Sequence, residues 1–140
     1  MAAGLAACAP MQVHGPRTVD NALPAASSGP IAAAVAAIGL REGETSYRLT
    51  QSNTDALALQ IRSAQLAQVS LDLKYYMWLN DVSGRLLASE LLRAADRGVR
   101  VRVLLDDTYV RTLDLELAAL DSHPNLELRV YNPWRTRGSK

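Results

Sequence analysis

The chain is 140 residues long and 49% hydrophobic, and its 15 basic and 14 acidic side chains leave a formal charge of +1. That length supports one compact domain burying roughly two thirds of the surface its unfolded chain exposes, and so even a charge balance supplies no field for a polyanion, so no nucleic-acid partner is expected. A single cysteine, Cys8, excludes an internal disulfide and a thiolate zinc cluster, and the longest apolar run, Ile31 to Ile38, falls far short of the roughly 20 residues that span a bilayer.

Residues 1 to 40 carry only Arg17 and Asp20 as charges and hold prolines at 10, 16, 24 and 30 among Ala, Gly and Ser. Small residues and prolines at this density do not build a core, so 1–40 reads as a targeting remnant and linker, and 41–140 as the folded part. The string Leu5-Ala6-Ala7-Cys8 resembles the lipobox at which bacterial lipoprotein signals are cleaved and lipidated, which makes Cys8 a candidate lipidation site. A working signal also needs a basic start and an apolar stretch of about 7 to 15 residues, and neither precedes Cys8 here.

Beyond Arg41 the chain alternates helix and strand patterns. Asn53 or Thr54 can cap a helix that carries Leu57, Ile61 and Ala64 on one face and ends near Ser70. The period then drops to two: Leu71, Leu73, Tyr75, Met77 and Leu79 alternate with Asp72, Lys74, Tyr76 and Trp78, which predicts a strand with one buried face. Ser83-Gly84 opens the next helix, with Leu87, Leu91 and Ala94 inward and Gly98 as the left-handed residue after its last turn. A strand over Val99 to Leu105, a helix over Leu113 to Leu120 and a strand from Leu126 to Tyr131 complete the order. Strand and helix in alternation imply an α/β fold with a mostly parallel or mixed sheet, flanked by helices on both faces.

Several of these blocks resemble a known family. Ser70-Leu71-Asp72-Leu73-Lys74-Tyr75-Tyr76-Met77-Trp78 and Ser83-Gly84-Arg85-Leu86-Leu87 look like the first strand and helix of phospholipase D-like phosphatidyltransferases of the cardiolipin synthase kind. The run from Leu91 to Asp107, then His123-Pro124-Asn125 and Tyr131-Asn132-Pro133-Trp134, continues the likeness over roughly residues 43 to 137. The resemblance implies a phospholipase D-like module and no metal or other cofactor. It also implies an active site made from two copies of a His-x-Lys-x4-Asp motif: one histidine attacks phosphorus, the other protonates the leaving alcohol, and the lysines hold the charged oxygens.

Neither copy lies in these 140 residues, because His14 is followed by Gly15-Pro16 and His123 by Pro124-Asn125, with no lysine two positions on. No catalytic residue is therefore assigned. The expectation is the first half of such a module, truncated before its chemistry and inactive alone, with a missing C-terminal half as partner. By the same resemblance the whole enzyme would act on phospholipid at a membrane surface of the bacterial envelope, by phosphatidyl transfer. The alternatives are hydrolysis by a phospholipase or phosphodiesterase of the same superfamily, or a non-catalytic lipid-surface binding module.

Asp106 and Asp107 end an apolar strand, where ligands of open α/β sheets collect, and are candidates to orient a reacting group; capping and turn chemistry is the competing reading. Tyr75, Tyr76 and Trp78 read as core on the two faces of their strand, with a lipid groove as the alternative, and Lys74 reads as a partner of Asp72 or Asp106. Arg93, Arg97, Arg100, Arg102, Arg129, Arg135, Arg137 and Lys140 give the second half local basic density, which reads as a solvated face, with anionic lipid headgroups as the alternative partner.

Overall fold

The structure, a computed structural model, describes residues 19–134. In chain order its elements are α1 (Pro30–Ala36), α2 (Asn53–Leu66), β1 (Ser70–Tyr75), α3 (Val82–Asp96), β2 (Arg100–Asp106), α4 (Asp107–Val110), α5 (Asp114–Asp121) and β3 (Leu126–Tyr131). The three strands form one wholly parallel sheet in the order β1-β2-β3, with Asp72 opposite Arg102 and Val103 opposite Leu128.

Sequential order in a parallel sheet decides where the helices go. Right-handed crossovers that always step in the same direction set every crossover helix on the same face. Burial agrees: Val101, Val103, Leu105 and Leu126 lie in one core with Ala64 of α2, Leu87, Leu91 and Ala94 of α3 and Leu117 of α5, while Leu71, Leu73, Tyr75 and Leu128 pack against it. Among the described residues no helix covers the other face, which corrects the expectation of helices on both. That face carries Asp72, Lys74, Arg100, Arg102, Glu127 and Arg129.

Helix ends follow local chemistry. Ser52, one residue ahead of the expected cap, accepts from the Asp55 amide at 3.3 Å and starts α2. The helix stops at Leu66, short of Ser70, because Ala67 turns extended and Arg97 donates to the carbonyls of Ala64 (2.8 Å) and Gln65 (3.2 Å). A cation on the last carbonyls of a helix is where the helix dipole favours it. Asp81 caps α3 through the Gly84 amide at 2.8 Å, and Gly98 takes the left-handed conformation, φ +86°, that the sequence assigns to it. The helix α1, which buries no residue, falls within the stretch read as linker.

β1 is shorter than its alternation. β2 ends at Asp106 and passes directly into α4, so residues after Tyr75 have no ladder to join. Released from the sheet, Trp78 turns into the core at 7% exposure and meets Tyr75 edge-on at 5.4 Å, while Met77 and Leu79 are 53% and 44% exposed, inverting the expected faces. Tyr76 also leaves the core and packs edge-on against Tyr109 at 5.4 Å.

Gly84 is fixed by contact. A Cβ there would stand 2.0 Å from the carbonyl oxygen of Leu79, a backbone atom that cannot swing aside. Gly84→Ala is therefore expected to lose about 1–3 kcal/mol to overpacking, despite a helix-propensity gain of about 1 kcal/mol, as read by urea unfolding; unchanged stability would show that the turn from Leu79 to Asp81 yields.

Candidate functional site

The carboxyl ends of the three strands gather Tyr75 and Tyr76, Asp106 and Asp107, and the segment from Tyr131 to Trp134. Parallel strands in register bring these ends to one edge, where open α/β sheets place their ligands. The two neighbouring aspartates differ in environment. Asp106 caps α4, accepting from the Thr108 amide at 2.9 Å, and hydrogen bonds from the Thr108 side chain and backbone hold its carboxyl below the usual carboxylate range. Asp107 is fully buried, and its Oδ2 accepts from the Trp134 amide at 2.6 Å. That bond ties the Asn132-Pro133-Trp134 element to the end of β2, with Asn132 taking the turn at φ +53°.

His123 is at the opposite end of the sheet, just ahead of β3. Its Nδ1 accepts from the Asn125 amide at 3.1 Å, which leaves Nε2 as the donor to Asp96 at 3.2 Å. Asn125 in turn donates to the Ala95 carbonyl at 3.1 Å. The His123-Pro124-Asn125 element thus closes the C-terminal end of α3 onto the start of β3. Acid–base chemistry between this imidazole and Asp106 or Asp107 is ruled out by the length of the sheet between them.

The uncovered face holds the densest charge. Arg102 grips Asp72 with two hydrogen bonds, Nε to Oδ1 at 2.6 Å and Nη2 to Oδ2 at 2.8 Å, a bidentate pair across β1 and β2. The Arg102 hydrogen bond lowers the Asp72 pKa from its ordinary 3.8, and the same contact raises that of Arg102. Asp20, far away in the sequence, lies over this face and pairs with both Arg100 and Arg102. Asp72 is thus taken by Arg102, and Lys74 makes no ion pair among the described residues.

Most of the basic density is likewise engaged. Arg93 pairs with Glu90 at 2.6 Å, Arg97 caps α2, and Arg129 pairs with Glu127. Cys8, His14, Arg135, Arg137 and Lys140 lie outside the described residues. Among the described residues no group of three or more His, Cys, Asp or Glu side chains is placed to hold a metal ion. What these residues can do is position: the carboxylates hold amides and guanidinium groups, and among the described residues no imidazole faces the strand ends.

Comparison with known proteins bears on this scaffold. No protein-family model matches the chain. Cardiolipin synthase C of Escherichia coli is 52% identical over 87 residues, covering 62% of this chain and 18% of that protein. The chain is a partial homologue of a phospholipase D superfamily protein. Uncharacterized proteins from two strains of Helicobacter pylori are 37% identical over 89 residues, 64% of this chain and 18% of theirs. The chain thus matches under a fifth of the length of these curated relatives. Among solved structures, the archaeal chromatin protein TrmBL2 superposes with a TM-score of 0.52 at 17% identity, over 74% of this chain and 40% of that one. At that identity the likeness shows the fold alone, an α/β arrangement.

Two measurements test the geometry of these strand ends and of the uncovered face. Asp107→Ala should lose about 1–3 kcal/mol, the cost of leaving a buried hydrogen-bonding partner unmade, with faster amide exchange at Trp134; a silent substitution would separate the Trp134 loop from β2. For Asp72 the folded pKa is depressed below the unfolded one. Its contribution is therefore fully present above about pH 5 and is lost as pH falls through the folded value. The acid limb of the wild-type stability curve should accordingly be steeper than that of Asp72→Asn, in melts between about pH 5 and pH 2.

Proposed function

We propose that this chain supplies the first strands and helices of a phosphatidyl-transferring enzyme of the cardiolipin synthase kind, and that the reacting imidazoles and lysines of such an enzyme come from outside these 140 residues. The observation that carries the reading is the 52% identity to cardiolipin synthase C over 87 residues. The geometry supports it: a parallel sheet sends Asp106, Asp107 and the Asn132-Pro133-Trp134 element to one edge, held by the Asp107 to Trp134 bond. In this reading the chain contributes a rigid platform, and phosphoryl transfer, which depends on positioning and charge neutralisation, takes its nucleophile, acid and clamp elsewhere.

The substrate in this reading is a phospholipid, so the working partner is a membrane surface of the bacterial envelope. No helix among the described residues is long and apolar enough to cross a membrane. Cys8, if lipidated, would supply one anchor, with acyl burial contributing about 0.8 kcal/mol per methylene.

A transplant tests the proposal. With the 87 matched residues of this chain replacing their counterpart in the E. coli enzyme, cardiolipin formation from phosphatidylglycerol vesicles should stay within roughly tenfold of the parent, about 1.4 kcal/mol of barrier. The isolated chain should give none. A folded but inactive chimera would sink the platform reading, and turnover by the isolated chain would sink the assignment of the chemistry to other residues.

A further inference from the structure

The uncovered face of the sheet contains an arrangement that the phosphatidyl-transfer reading does not use. Arg100 and Arg102 stand two positions apart on β2 and so share a face. Between them they hold the Asp20 carboxylate, one oxygen each: Arg100 Nη1 reaches Oδ1 at 3.1 Å and Arg102 Nη1 reaches Oδ2 at 3.2 Å. The backbone is held too, with Arg100 Nη2 donating to the Asn21 carbonyl at 3.0 Å and Arg102 Nη1 to the Asp20 carbonyl at 2.8 Å. The two arginine side chains are only 30% and 20% exposed.

Two features separate this cradle from a surface ion pair. Arg100 Nε is buried and has no hydrogen-bond partner among the described residues, a donor in surplus of what the Asp20 carboxylate can accept. Arg102, Lys74 and Arg129 also line one groove on this face, with Asp72 and Glu127 as its acidic members. A carboxylate offers two oxygens to this donor set, whereas a phosphate offers three or more, and guanidinium forks match phosphate geometry well.

The geometry points to an oxyanion-binding site at Arg100 and Arg102, of the phosphate or phosphate-ester class, that Asp20 fills as an internal occupant. A bound phosphate takes the place of the Asp20 carboxylate and frees the segment at Asp20 and Asn21 from the sheet. Because Asp20 is tethered, it competes at an effective concentration in the millimolar range, so the intact chain binds free phosphate weakly. Removing the competing charge exposes the site.

Inorganic phosphate is titrated into the full 140-residue chain by calorimetry, with the backbone resonances of Asp20 and Asn21, whose carbonyls the arginines hold, followed by NMR. Asp20→Asn should bind phosphate about tenfold tighter than wild type, and adding Arg100→Gln should abolish the gain. In the wild type, saturating phosphate should shift the backbone resonances of Asp20 and Asn21 as the arginines release their carbonyls. Vesicles containing phosphatidylglycerol distinguish the source: binding by Asp20→Asn that free phosphate competes away identifies a lipid headgroup, and a gain on free phosphate alone identifies a soluble ligand. An unchanged phosphate affinity in a folded Asp20→Asn variant, or a gain that survives Arg100→Gln, overturns the site. Should Asp20→Asn not fold, wild-type Asp20 and Asn21 resonances that ignore saturating phosphate overturn it equally.

Discussion

The middle strand sets the terms for the rest of the molecule. Along Arg100–Asp106 the side chains of Val101, Val103 and Leu105 enter the core, and those of Arg100, Arg102, Leu104 and Asp106 face away. β2 is bonded to a neighbour on either side, so a slip of one residue would drive two guanidinium groups under α3. Few errors cost a core more than an unpaired buried charge. Register is thereby fixed as much by what the core excludes as by what it holds. β1 and β3 take their level from β2, and the alignment of their ends over Asp106 and Asp107 follows.

Where a periodic run was bounded by punctuation, the sequence was a sufficient guide. Gly98 ends α3 and clears the way for β2, and His123-Pro124-Asn125 marks the entry to β3; each lies where its local chemistry demands. The reading failed where partnership, not propensity, decided. Tyr76 to Leu79 keep a strand's alternation, yet β2 has no residues left to bond them, and Trp78 is worth more to the core than to a ladder. The uncovered face escaped notice for a related reason: strand order is a property of the whole sheet, and only the order β1-β2-β3 places every crossover on one side.

The position of Asp106 and Asp107 at a strand end was legible, since the apolar run stops there. Their separate tasks were not, because α4 begins between them and sends one carboxylate to its own first turn and the other inward to Trp134. The cross-strand pair of Asp72 and Arg102 could have been found by matching the outward positions of two parallel strands. Asp20 could not: its contacts with Arg100 and Arg102 join residues some 80 positions apart, and no period or motif links them. The family resemblance read from the blocks between residues 70 and 107 is also blind to it, since a single acidic residue in an Ala-rich stretch carries no family signature.

A wholly parallel sheet also sets the order in which this domain can form. Among the described residues no strand pair is joined by a hairpin, and the first ladder contacts link residues about 30 apart, such as Asp72 and Arg102. Loop closure on that scale is unfavourable before any sheet bond rewards it. Helices α2 and α3, each capped by its own side chain, are local and need no such closure. Each helix can therefore form on its own before any ladder closes, whereas pairing α2 with α3 spans a loop as long as the first ladder, 33 residues from Arg97 to Ala64. The rate should be governed by when β2 is captured between its neighbours, which makes the strand that fixes register in the finished molecule also the one on which its assembly waits.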